Sequence, residues 1–190
     1  GPGGAMEAFL KARDSGLIRF IGFSSHNEEA ALFMLGRFPF DAMLFPVNFA
    51  CWLEGGFGPR VIERASQSGA GIVAIKPLCR SPILNEDKGH GRRSGSEWVK
   101  RILRIVRGNG EHRNRKWPKL NYHPLEDIAS IRAALEFALA RPVTAALPPG
   151  QAELVWRACD ALESPATPRR GDERTLVEAL GGVPLHRSVV

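Results

Sequence analysis

The sequence predicts an α/β fold built by βα repetition around a parallel sheet. Three observations carry this. Four short apolar runs, Leu17 to Ser25, Ala42 to Asn48, Gly71 to Leu78 and Val143 to Gly150, each end in a small or polar residue and lead into a helix-forming stretch. None is long enough for a helix core, and none alternates apolar with polar residues, the pattern of strands buried on both faces. The stretches between them carry caps, amphipathic spacing and glycine stops. In such folds the residues just after each strand gather at one end of the sheet, so Ser24, Ser25, Asn48, Pro77, Leu78 and Gly150 are the first candidates for a site.

The elements follow in order. A first helix is expected from about Gly4 to Ser15, with Met6, Phe9 and Leu10 on one face and Gly16 as its stop. After the first strand, Ser25 or Asn27 caps a helix with Glu28 and Glu29 in its first turn, ended by Gly36. The second strand is followed by a loop, Phe49 to Gly58, and a helix opened by Pro59 and running to Ser68. A third strand, Gly71 to Leu78, precedes a segment of some forty residues, Cys79 to Leu120, far longer than an ordinary βα connection and therefore an insertion. Within it, Glu97 to Arg107 has helical apolar spacing, either as a lid or as a surface helix laid on the core. A strong amphipathic helix at Leu125 to Ala140, the fourth strand and a helix from Gln151 to Leu162 complete a unit over residues 1–163. Residues 164–190 are expected to form a linker, a short outer helix and a loose tail from Gly181.

Composition narrows the function classes. The chain has 190 residues, 44% apolar and 24% charged, which suits one globular domain. It contains no apolar run of membrane-spanning length, and its opening lacks the order of a secretory signal, so a cytoplasmic location without membrane partners is expected. The start on Gly-Pro-Gly-Gly reads as a chain cut from something longer or carrying a cloning scar. Cys51, Cys79 and Cys159 are odd in number and outside any CxxC or Cys/His spacing, so neither a disulfide framework nor a metal site is expected. The net charge of +6 is concentrated between Cys79 and Leu120, where twelve Lys or Arg stand against four acids. Such a segment either is a solvated loop or binds an acidic partner or nucleic acid through residues 88–119. Only Trp98 and Trp117 interleave with its cations, so the stacking pattern of a nucleic-acid binder is not met.

Several catalytic signatures are absent: GxGxxG, GxxxxGK[ST], HExxH and GxSxG do not occur. Ser24 and Ser25 either hydrogen-bond a polar ligand or cap the next helix. Asn48 either contacts a ligand or closes an Asx-type turn. Lys76, at the end of a strand, either serves a ligand as a Schiff-base or phosphate-binding lysine or pairs with a carboxylate inside the fold. Pro148-Pro149-Gly150 opens the helix at Gln151, whose free N–H groups suit an anion, although a plain turn has the same sequence.

Taken together, GLIRFIGFSSHN, the strand ending in PVN, GIVAIKPL and RPVTAALPPG resemble, in order, the second half of an aldo-keto reductase. The resemblance covers about Gly3 to Glu163 apart from the insertion. It implies a partial (β/α)8 TIM-type barrel of about four parallel strands with flanking helices, and NADP(H) bound across its strand ends for carbonyl reduction. Position by position, it implies that Ser24 and Ser25 hold the nicotinamide carboxamide, Ser25 replacing the usual Asn. Pro77 and Leu78 would lie beside the pyrophosphate, with Lys76 before them also a cofactor contact, and Gly150 and Gln151 would begin the adenosine-phosphate region. Ile75 stands where many members carry a nicotinamide-stacking Tyr, and Leu44 near where many carry a Gln. The family's catalytic Asp, Tyr, Lys and His belong to strands that would precede residue 1. Tyr122, the sole tyrosine, falls after the seventh strand, and Lys76 is not the family's catalytic lysine. The chain alone is therefore expected to bind nucleotide without catalysis, and to need either the missing half or self-association to cover the open barrel edges.

Overall fold

The structure, a computed structural model, describes residues 4–82, 116–163 and 173–188. Helix α1 (Ala5–Asp14) leads to strand β1 (Gly22–Ser24), α2 (Glu28–Arg37), β2 (Ala42–Pro46), a short α3 (Phe49–Leu53), α4 (Pro59–Gln67) and β3 (Gly71–Ile75). Strand β4 (Cys79–Pro82) and, beyond the insertion, β5 (Tyr122–Pro124) come next. The chain continues with α5 (Ile128–Leu139), β6 (Ala145–Ala146), α6 (Ala152–Glu163), a single 3-10 turn (Glu173–Thr175) and α7 (Leu176–Leu180). The helix expected at Glu97 to Arg107 and the linker at 164–172 lie outside the described residues.

Four parallel strands form one sheet in the order β1-β2-β3-β6, so each strand joins the edge left by its predecessor. Helices α2 and α4 cover one face. Met43 and Phe45 of β2 and Ile72 and Ala74 of β3 point to that side and pack with Ala31, Leu35, Val61, Ile62 and Ala65. The expectation of strands buried on both faces is corrected here. Burial alternates along β2 and β3, and Leu44, Val73 and Ile75 on the opposite face are only partly covered. These residues are apolar because the face is apolar, yet no described element packs over it as fully as the helices do on the other side.

The first strand is also shorter than its apolar run suggests. Only Gly22 to Ser24 pair with β2, and Leu17 and Phe20 are 81% and 66% exposed. The backbone leaves the sheet at Ile21, whose N–H is held by the Asp41 carboxylate at 2.7 Å. Gly22 is required where β1 meets β2, because a Cβ there would stand 2.8 Å from the Ala42 carbonyl oxygen.

A second, two-stranded sheet was not expected. β4 pairs antiparallel with β5, so the two ends of the insertion close on each other and on Trp117, Leu120 and Leu154. Trp117 donates from its indole N–H to Glu126, which also pairs with Lys116. A third group of buried side chains joins α5, α6 and α7 through Ile131, Leu135, Phe137, Ala158, Leu176 and Val177. The final helix is thus part of the core. Residues 182–188, expected to be loose, run back over the strand ends with hydrogen bonds from Val183 N–H to the Arg80 carbonyl and from Ser188 N–H to the Gly55 carbonyl.

Candidate functional site

The C-terminal ends of β1, β2 and β3 converge on one group of polar side chains. Ser25 follows β1 and keeps its N–H on the Leu44 carbonyl at 3.1 Å. Its hydroxyl closes a local turn, accepting from the Asn27 N–H and donating to the Asn27 carbonyl. Asn27 caps α2 by accepting from Ala30 N–H at 2.8 Å. Of the two caps considered from sequence, Asn27 is therefore the one that holds the helix, and Ser25 holds Asn27. Ser24 ends β1 with an exposed side chain on the open face.

Asn48 is buried, and both ends of its amide are used. Its carbonyl oxygen accepts from Ala50 and Cys51 N–H at 3.0 and 3.2 Å, capping α3. Its Nδ2 donates to the Cys79 carbonyl at 2.7 Å and lies at 3.3 and 3.4 Å from those of Lys76 and Pro77. It is a structural clamp between β2 and the turn after β3. The short helix it starts escaped the sequence reading, which gave Phe49 to Gly58 as a loop.

Lys76 lies in the turn that Asn48 clamps, with φ at +58°, the one positive value outside glycine among the described residues. An L-residue in this region carries a backbone penalty and is most often found where the surroundings dictate it. Its ammonium is half-buried, and burial holds its pKa below the ordinary lysine value. No carboxylate among the described residues forms an ion pair with it. The thiols of Cys51 and Cys79 are close enough to interact, but burial pushes both up, Cys79 to about 12, so at neutral pH they carry no charge to offset the lysine. Lys76 is thus a partly desolvated cation without an anionic partner among the described residues.

Pro77 and Leu78 have fully buried side chains, with Leu78 packed against the α5 group. Their carbonyls are occupied by Asn48 Nδ2 and Leu125 N–H. Gly150 and Gln151 follow β6, at the opposite edge of the sheet from Ser24 and Ser25. Gly150 is exposed with open space around it. Gln151 is buried and its side-chain oxygen has no hydrogen-bond partner, while its main-chain carbonyl accepts from Leu154 and Val155 at the start of α6. The structure therefore brings Ser24, Ser25 and Lys76 to one end of the sheet, sets Gly150 and Gln151 across from them, and seals Pro77 and Leu78 into the core.

Two imidazoles meet at this end, and their pairing was not read from sequence, which took His26 as a loop residue and did not single out His186. His26 and His186 face each other with ring centroids 5.7 Å apart, and His186 stacks on Phe57 at 5.0 Å. Together with Asn27 and Arg187 they line an open pocket. Burial, then the charge of Lys76, keeps both rings below the ordinary histidine value, His186 at about 4. His186 lies 160 positions from His26, so no local spacing could have joined them. Tyr122 is buried in the second sheet, where desolvation raises its hydroxyl pKa, away from the direction a proton donor requires. Among the described residues no group of three or more His, Cys, Asp or Glu is placed to hold a metal ion, and no helix is long and apolar enough to cross a membrane.

No protein-family model matches the chain, and no curated protein does. Solved structures do. The holo form of an aldo-keto reductase from Bacillus halodurans aligns over 98% of this chain and 62% of its own, at 22% identity and a TM-score of 0.48. A thermostable aldo-keto reductase in complex with the inhibitor epalrestat aligns over 92% and 53%, at 22% identity and a TM-score of 0.45. An aldo-keto reductase of Bombyx mori in complex with NADP aligns over 92% and 48%, at 12% identity and a TM-score of 0.47. The solved structures that this chain is similar to are thus aldo-keto reductases, and it spans about 48 to 62% of their length.

Proposed function

We propose that the chain is the cofactor-binding portion of an aldo-keto reductase-type oxidoreductase, specific for NADP(H) and without a catalytic group of its own. The observation that carries this reading is that GFSS, FPVN, IKPL and ALPPG, from the four phrases that resemble the family, end four parallel strands of one sheet and do so at the same end.

The residues present fit a dinucleotide in part. Lys76 offers a cation without an ion-pair partner for a phosphate. Ser24 presents an exposed hydroxyl for the carboxamide, and Gly150 leaves room beside the start of α6 for an adenosine phosphate. Pro77 and Leu78 belong to the turn that carries Lys76, and their own side chains are buried. Bound nicotinamide nucleotide supplies the hydride for carbonyl reduction; the chain's own residues bind and orient. With Tyr122 buried elsewhere, no described side chain is set to protonate a carbonyl oxygen, and the lost general acid costs roughly 10²- to 10⁴-fold in rate. The half-covered face bearing Leu44, Val73 and Ile75, with open edges at β1 and β6, favours association with a second copy or with a segment supplying further strands. A cytoplasmic location accords with this reading.

Titration with NADPH, followed through nucleotide and tryptophan fluorescence with NADH as control, tests the proposal. Saturable binding that prefers NADPH and weakens at least tenfold in Lys76→Gln is expected. Folded protein that binds neither nucleotide overturns it.

A further inference from the structure

We propose that residues Val183–Ser188 form a latch, docked beside the β1–α2 turn where His186 and Arg187 wall a pocket with His26 and Asn27, closed while His186 is neutral and released when it takes a proton. The segment is held at several points. His186 N–H donates to Cys51 Sγ at 3.4 Å, Arg187 reaches the Glu54 carbonyl at 3.3 Å, and Ser188 N–H bonds Gly55 at 2.9 Å. Leu185 packs against two of the buried groups. Gly55 permits this seat, since a Cβ there would stand 2.5 Å from both the Cys51 and the His186 carbonyl oxygens. Gly182 permits the approach to it, with Phe49 in the space a side chain would need.

The same seat carries its own opposition. His186 Nε2 is buried and has no hydrogen-bond partner, a cost that only the docked segment bears. The groups facing the ring are Lys76 at the end of β3, His26 on the β1–α2 turn and Cys51 on α3. Lys76 is cationic and the thiol neutral. The nearby carboxylates are already engaged: Glu28 accepts from Gly58 N–H at 2.8 Å, and Glu29 pairs with Arg60. A proton on His186 therefore meets a cation, a second imidazole and a desolvated site, and among the described residues no carboxylate pairs with the ring. In water the released histidine takes that proton near its ordinary pKa of 6.5, whereas the docked one waits until about 4. Acidification between these values favours release, and below the lower one the effect is complete.

Hydrogen exchange of the intact chain, expressed as protection factors, reads the latch directly through the amides of Val183, His186 and Ser188. Their protection is expected to fall about 20-fold from pH 7 to pH 5, close to the roughly 25-fold limit for a ring that does not titrate while docked, while Ile72 and Ala74 in β3 stay protected. His186→Phe keeps a ring on Phe57 but cannot titrate, so its tail protection should be the same at both pH values. Equal protection of the wild-type tail at both pH values overturns the proposal, as does the same fall in His186→Phe or loss of β3 protection together with the tail. The consequence for nucleotide rests on the reading above. If the tail behaves as stated and NADPH does not bind, that reading fails and the latch stands.

Discussion

Replacing Asn48 with alanine should destabilise the protein more than any other single change at the strand ends. The substitution leaves two N–H groups at the start of α3 without their cap and removes the 2.7 Å donor from the Cys79 carbonyl. Loss of an N-cap costs about 0.5–2 kcal/mol. A buried carbonyl left without its donor adds about 1–3 kcal/mol. The sum is about 1.5–5 kcal/mol, and with a urea slope near 2 kcal/mol per molar the midpoint should fall by about 0.8–2.5 M. Asn48→Asp separates the two contributions, because it retains the cap but sets a carboxylate against three carbonyls. Near neutral pH it should be at least as damaging as alanine, and at about pH 3, where the acid is protonated and again donates, part of the loss should return. Urea unfolding followed by tryptophan fluorescence measures both. A midpoint shift below about 0.3 M for Asn48→Ala would refute the account of Asn48 as a clamp.

Other consequences are as direct. Gly182→Ala drives a Cβ to 2.3 Å from the Phe49 ring and should cost about 1–3 kcal/mol, whereas Gly36→Ala, inside α2 with open space around it, should stabilise by about 0.5–1 kcal/mol; thermal melts giving both the same sign would contradict the packing described. Lys76→Gly removes the left-handed penalty, about 1–2 kcal/mol, against a smaller entropic loss, so the variant should be slightly more stable while binding NADPH less well. Sedimentation should show concentration-dependent association that Leu44→Lys with Val73→Lys reduces. A compact monomer at every concentration would count against the open face as an interface.

How far the sequence could be read depended on how local each determinant is. β2, β3, α4 and α6 were legible because their signals lie within the element: apolar runs, Pro59 at a helix start, glycines at the stops. Asn27 as a cap was legible for the same reason. The first strand was overextended because Leu17, Ile18 and Phe20 are apolar without having a neighbour strand to pair with, and apolarity alone does not make a strand. α3 was lost between two stronger signals, although an Asn followed by Phe-Ala-Cys-Trp-Leu is a cap before a helix turn. The β4–β5 pair and the latch depend on residues brought together from opposite ends of an insertion or of the chain, where no period survives. Pro77 and Leu78 show the limit of carrying a role across a motif. Both side chains are buried, and of the three only Lys76 is partly exposed.

The order of strands in the sheet has a consequence for synthesis. Since β1, β2, β3 and β6 are added edge by edge in the order they leave the ribosome, the sheet can grow without any strand being inserted between two already paired. Val183–Ser188, which run back over the strand ends, emerge after all four strands. Until they do, the nascent sheet has Lys76 and its neighbours more open to solvent, so a ligand present during translation meets Lys76 before that segment does.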